Sequence, residues 1–320
     1  MFRSFFVYLS QASWARNLIT KSDLAKRAAS RFVAGEQLEL AANVVQTLNL
    51  KGFNTTLDHL GEHTTNTEKA EKATEDILSI ISAIEKSGLK SNISIKLTQI
   101  GLAIDKKLCE KHLVNILARA QEVGNFVRID MEDSPWVDST LDLYWKMRNE
   151  YNLHNLGVVI QAYLYRSEGD IRSIASKMGK VRLCKGAYKE PSSIAFPRKN
   201  EVDKNFDRIV KLLIDAEVQN KSGEISLDGK VPPVCAVATH DPDRIDFAVN
   251  YAESVGLSRK ALEFQMLYGI RRDLQDQCLK DGFPVRIYVP YGTEWYPYFT
   301  RRLAERPANL WFFLTNLIRK

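Results

Sequence analysis

Eight short segments of apolar or alternating residues recur along the chain, at 53–57, 93–97, 126–131, 158–162, 181–185, 234–238, 262–267 and 285–289. Gly, Pro, Asn or Asp bounds several of them, as expected of buried strands. Helical periodicity fills the intervals. Over 67–87, Ile77, Ile81 and Ile84 stand at i, i+4 and i+7 and form one apolar stripe. Thr67 is the expected N-cap there, Glu68 and Glu71 suit the positive end of the helix, and Gly88 ends it. A second helix is expected over 201–220, with Phe206, Val210 and Leu213 facing inward, and a third over 38–48.

Strand alternates with helix eight times without a compositional break, which calls for parallel strands joined by helical crossovers. Eight such units favour a closed (β/α)8 barrel of the TIM type over an open doubly wound sheet. No G-x-G-x-x-G follows a strand, so the dinucleotide fingerprint of an open sheet is absent. Residues 1–50 are expected to form an N-terminal helical cap and 51–320 the barrel, together one structural domain.

Composition narrows the class. With 45% hydrophobic and 26% charged residues over 320 positions, the chain is ordinary globular material. Cys109, Cys184, Cys235 and Cys278 form no C-x-x-C pair and have no His at zinc spacing. They read as buried thiols of a reducing compartment, and no metal site is expected. The apolar stretch at 5–9 is too short for a signal peptide. A docked or surface-lying segment of a cytosolic protein is expected, with a transit peptide as the alternative. Phe2, Phe5, Phe6 and Val7 beside Arg3 and Lys21 could equally make a small amphipathic anchor or a terminal helix on the barrel. The formal charge of +6 does not by itself choose between an anionic ligand, a membrane surface and nucleic acid. Basic residues are scattered with no aromatic-interleaved stripe, so nucleic-acid binding is not expected.

The polar residues at strand ends sharpen this. Barrel chemistry gathers at the C-terminal ends of the strands. There stand Lys96, Asp130, Gln161, Arg182 and Lys185, within or beside apolar runs. Burying one unpaired charge costs several kcal/mol. One such residue would read as a structural ion pair; five at homologous strand ends point to a shared, largely basic site. After the last strand, Tyr298, Arg301 and Arg302 fall at i, i+3 and i+4 and offer a fork for a small carboxylate. On residues alone the Arg pair reads equally as a solvated pair on a helix surface.

These residues recur in an ordered series: Ser-Ile-Lys96-Leu-Thr, Ile-Asp130-Met-Glu, Gln161-Ala-Tyr, Arg182-Leu-Cys-Lys185-Gly-Ala-Tyr188, Ala-Thr239-His240, Glu263-Phe-Gln-Met-Leu267-Tyr-Gly269, Arg286-Ile-Tyr288-Val-Pro-Tyr-Gly292 and Tyr298-Phe-Thr-Arg301-Arg302-Leu. From about residue 50 to the end, the chain resembles the proline dehydrogenase family in its short, monofunctional bacterial form. The resemblance implies a distorted (β/α)8 barrel, with a C-terminal helix over its mouth, that binds FAD. It implies oxidation of L-proline to Δ1-pyrroline-5-carboxylate, with hydride passing to flavin N5 and electrons to a membrane quinone. It also implies a cytoplasmic protein peripheral to the inner face of the cell membrane, with a pyrroline-5-carboxylate dehydrogenase as candidate recipient of the product.

By the same resemblance, Arg301, Arg302 and Lys96 form the carboxylate clamp, Tyr288 and Leu267 wall the proline ring, and Tyr298 joins the substrate site. Arg182 hydrogen-bonds N5 and shares the catalytic role with Asp130, which orients and balances charge. Met131, Gln161, Arg182, Lys185, Gly186, Ala187, Thr239, His240 and Glu305 are the implied FAD contacts. Glu62 is the implied partner of Arg301 in an ion-pair gate. On residues alone, Tyr288 and Leu267 also read as barrel core, His240 as a capping residue, Tyr188 as rim packing, and the segment 189–204 as a solvated rim or a lid.

Overall fold

A computed structural model describes residues 23–61, 63–221 and 223–305. Eight parallel strands close a barrel in sequence order. They are β1 (Asn54–His59), β2 (Ser91–Ile95), β3 (Val127–Ile129), β4 (Leu156–Gln161), β5 (Lys180–Cys184), β6 (Cys235–Ala238), β7 (Leu262–Leu267) and β8 (Val285–Tyr291). The β1–β8 seam, with Asn54 opposite Arg286 and His59 opposite Tyr291, completes the ring. Crossover helices include Thr67–Lys86, Lys106–Glu122, Val137–Asn149 and Lys199–Asn220. The (β/α)8 architecture expected from the alternation is the one observed.

The strand pleat explains why both the apolar runs and the embedded charges are tolerated. Alternate side chains face opposite sides of a sheet. Leu57, Ile93, Ile95, Val127, Ile129, Val158, Ile160, Val181, Leu183, Val237, Phe264, Ile287 and Val289 belong to the main apolar core with the helices. Their neighbours face the barrel axis and are mostly polar. Barrel interiors are usually filled by branched aliphatics; this one carries many polar groups, most of them hydrogen-bonded. On its floor Arg286 pairs with both oxygens of Glu263, at 3.0 and 2.9 Å, and donates to the carbonyls of Thr55 and Gly229 at 2.7 Å. Both side chains are essentially closed to solvent, at 1% and 0% exposure.

Local signals account for the helix limits. The first crossover helix starts at Thr67, but its cap is Asn66, whose side chain accepts from the Lys69 amide at 3.0 Å. Thr67 itself is the first helical residue, so the expected cap is displaced by one position. The apolar stripe is as expected, with Ile80 added to Ile77, Ile81 and Ile84. The fifth crossover helix begins at Lys199, which takes the end of the expected 189–204 rim into regular structure.

Among the described residues, two helices precede the first strand, Asp23–Ala29 and Leu38–Leu50. Ala41 and Val45 bury the second against β1 and β8. The first helps form a separate apolar cluster in which Ala25, Ala29, Phe32 and Val33 meet Leu60, Trp295, Tyr296 and Phe299. That cluster seats the C-terminal helix Trp295–Glu305. Trp295 fixes its start by donating to Glu36 at 3.0 Å.

The floor pair generates a stability test. Arg286→Leu leaves Glu263 buried without its cation and should cost about 3–5 kcal/mol. The double variant Arg286→Leu/Glu263→Leu should recover much of that loss. Urea unfolding midpoints of the two variants check it, and equal losses would contradict the pairing argument.

Candidate functional site

The C-terminal ends of the strands open on a cavity of about 450 Å³. Its lining brings together Lys96, Asp130, Met131, Gln161, Arg182, Lys185, Gly186, Ala187, Thr239, His240, Leu267, Tyr288, Tyr298, Arg301 and Arg302. Glu62 lies outside the described residues, as do Phe2, Phe5, Phe6 and Val7. Glu305 is the last described residue of the helix Trp295–Glu305, and its side chain is outside the described set. Among the described residues no helix is long and apolar enough to cross a membrane.

Asp130 is the hub of the cavity floor. It follows β3, and its carboxylate accepts from Arg182 Nη1 at 2.8 Å, Tyr288 OH at 2.8 Å and Ser94 Oγ at 3.1 Å. Lys96 Nζ stands 3.7 Å away. These donors come from β5, β8, β2 and the residue after β2, so the hub ties four sides of the barrel together. The Arg182 guanidinium also lies over the Tyr288 ring, 5.3 Å from its centroid. Burial, and next the Asp130 charge, push the Tyr288 phenol well above its ordinary value. It therefore stays protonated and donates.

Asp58 is the residue that sequence reasoning missed. It is the penultimate residue of β1, and its carboxylate accepts from Lys96 Nζ at 3.1 and 3.3 Å. The side chain is 1% exposed. Burial raises its carboxyl above the ordinary range, Lys96 pulls it back, and Asp130 adds to the rise. A polar residue at an inward strand position was the available signal for Asp58. Gln265, Tyr188 and Cys184 also line the cavity. The Cys184 thiol is pushed up to about 12 by burial, consistent with a packing role.

The C-terminal helix supplies the roof. Tyr298, Arg301 and Arg302 share its cavity face, and the Arg302 guanidinium sits 5.1 Å from the Tyr298 ring centroid. The expected i, i+3, i+4 grouping is thus present. His240 reaches across to accept from the Leu267 amide at 2.9 Å, which ties the end of β6 to the end of β7.

A second charged group lies on the β5–β6 rim. Lys185 donates to Asp203 and, at 2.6 Å, to Asp241. Lys199 also binds Asp203, at 2.6 Å. Burial would raise both aspartates, but the lysine hydrogen bonds outweigh it and hold both below the ordinary value. These acidic partners lie 18 and 56 residues from Lys185, so no local pattern announced them. Behind Lys185, Gly186 has φ of 124°, and a Cβ there would meet the Tyr163 ring at 2.5 Å. The backbone therefore passes this point without a side chain, in a conformation that favours glycine.

The chain is similar to known proteins over most of its length. A family model described as Proline dehydrogenase matches residues 41–313. Proline dehydrogenase 1 of Bacillus subtilis (strain 168) is 40% identical over 320 residues, covering all of both chains. Proline dehydrogenase of Deinococcus radiodurans is 40% identical over 294 residues, 91% of this chain and 90% of that one. Among solved structures, proline utilization A from Bdellovibrio bacteriovorus, inactivated by N-propargylglycine, aligns with a TM-score of 0.78 at 25% identity. That alignment covers 88% of this chain and 33% of the larger protein.

The depressed rim aspartates predict a pH effect. A carboxyl whose native pKa is lowered stabilises the fold above its unfolded value, about 3.9, and loses that contribution as pH falls through the native value. Asp203→Asn should therefore destabilise the protein more at pH 6 than at pH 3. Urea unfolding at the two pH values measures the difference, and an equal effect at both would contradict it.

Proposed function

Since the chain belongs to the proline dehydrogenase family, we propose that it oxidises L-proline to Δ1-pyrroline-5-carboxylate with FAD as cofactor and a membrane quinone as final electron acceptor. The observation that carries this reading is the meeting of Lys96, Arg301 and Arg302 with Arg182 and Asp130 in one cavity. Cations for a small carboxylate and a fixed cation beside an acid hub are what the oxidation of an amino acid requires.

The donor set suits a flavin dinucleotide. The cationic Arg182 and Lys185, the Gln161 amide, the Thr239 hydroxyl and the His240 imidazole line one continuous wall from β4 to β6. Lys185, Gly186 and Ala187 would hold the pyrophosphate, with Met131, Gln161, Thr239 and His240 as further contacts and Glu305 as an added one. FAD, when bound, supplies the hydride acceptor at N5, and Arg182 supplies the positive charge that an electron-rich ring favours.

The remaining work falls to the chain's own groups. Arg301, Arg302 and Lys96 bind the substrate carboxylate, and Glu62 would pair with Arg301 to close the site. Fixing the carboxylate decides which ring carbon faces the acceptor, a positioning effect worth several kcal/mol in good cases. Leu267 and Tyr288 wall the ring, with Tyr298 at the roof. The Tyr288 hydroxyl is held by Asp130, so it occupies the space that a ring hydroxyl would need, and proline is favoured over hydroxyproline. Asp130 orients Arg182 and Tyr288 and balances the cations. The protein would act in the cytoplasm at the inner face of the membrane, where a pyrroline-5-carboxylate dehydrogenase could take up the product.

The deciding experiment is an anaerobic titration. The purified protein should be yellow, and its flavin absorbance should bleach on addition of L-proline; a protein that takes up no FAD on reconstitution would overturn the reading. In addition, Arg301→Met should raise KM for proline about 10- to 100-fold, the loss expected of a charged hydrogen bond. FAD content should hardly change, and equal loss of both would remove Arg301 from the clamp.

A further inference from the structure

The guanidinium of Arg182 is held from two edges and one face. Nη1 is engaged by Asp130 and Ser94. The Tyr288 ring covers a face. Nε donates to the side-chain oxygen of Gln265. Among the described residues Nη2 makes no hydrogen bond, and Arg182 lines the cavity. The Nε contact therefore fixes the rotation of the group about its long axis, and with it the direction in which Nη2 is offered.

Gln265 can only do this in one orientation. A carboxamide has an acceptor end and a donor end, which differ little in shape. If the amide were turned over, its NH2 would face the N–H of Arg182, donor against donor. The orientation is settled from below. Gln265 Nε2 donates to Glu263 Oε1 at 2.5 Å. Glu263 is a carboxylate, so it accepts only, and Arg286 locks it in place through both oxygens. Arg286 is in turn anchored to the Thr55 and Gly229 carbonyls. The chain Arg286, Glu263, Gln265, Arg182 thus runs from the barrel floor to the cavity, each member setting the polarity of the next.

We propose that Gln265 is a positioning residue for the reaction: its amide, polarised by the Glu263–Arg286 pair, fixes the Nη2 edge of Arg182 toward the cofactor. This rests on the reading of Arg182 as the cation beside the hydride-accepting ring. Removing the Gln265 oxygen leaves Arg182 paired with Asp130 and Ser94 and stacked on Tyr288, but without the contact that holds Nε and so sets the angle of Nη2. The substrate carboxylate is bound elsewhere, by Arg301, Arg302 and Lys96, so the effect should fall on the chemical step and not on substrate binding.

The test uses the FAD-loaded full chain. In Gln265→Met, which keeps the side-chain length, the limiting rate of anaerobic flavin bleaching by proline should fall about tenfold or more. The half-saturating proline concentration should stay within about twofold, and the midpoint potential of the bound flavin should move to a more negative value. Gln265→Asn keeps an amide but withdraws it by one methylene, and should show the same pattern; it serves if the Met variant does not fold. Gln265→Glu, carrying a proton next to Glu263, can again accept from Arg182 and donate below. It should bleach at least threefold faster than Gln265→Met. The proposal is overturned if the Met or Asn variant keeps both the limiting rate and the potential of the unsubstituted chain, or if only the half-saturating concentration changes. If the unsubstituted chain itself binds FAD but does not bleach with proline, the functional reading fails, and this inference fails with it.

Discussion

The carboxylate of Asp130 receives Arg182, Tyr288 and Ser94, with Lys96 close by, in a place largely shut off from bulk water. Everything else at the mouth depends on that arrangement. Isolated charges inside a barrel would either stay neutral or unfold it, because desolvation outweighs any gain from packing. Paired around one acid, the same charges become fixed dipoles. Their positions are settled before any ligand arrives, and no reorganisation is left to be done at the moment of reaction. The structural ion pair and the proposed site, which read as rivals on the sequence, fall on one set of residues here.

The same economy runs through the scaffold. The outward pleat positions give the barrel its apolar grip on the helices, while the inward ones carry a hydrogen-bonded column from floor to mouth. The roof is built differently. The helix bearing Arg301 and Arg302 is seated by aromatic and small apolar contacts with the N-terminal helix Asp23–Ala29. Residues far apart in the chain thus share in placing the proposed clamp. A change at Phe32 or Phe299 would be felt at the arginines without touching them.

Much of this was legible beforehand, for identifiable reasons. Strands such as 262–267 announced themselves because one pleat face is continuously apolar. Lys96 and Arg182 stood out because a charge within such a run needs a partner, and several of them recur at homologous strand ends. Asp58 and Gln265 did not, since a single polar residue at an inward position acquires meaning only through a partner on another strand. The partners of Lys185 were hidden for the same reason: Asp203 and Asp241 belong to the starts of helices, where acidic residues are ordinary. The cap at Asn66 was misplaced by one residue because Asn and Thr are both competent caps and nothing local chooses between them.

The filled floor has a consequence for traffic. With Arg286 and Glu263 closed to solvent and the Gly229 carbonyl drawn in beneath them, the barrel is a cup and not a tube. Whatever enters at the strand ends must leave by the same rim. A small molecule being oxidised and a larger acceptor collecting its electrons would have to use this single doorway in turn.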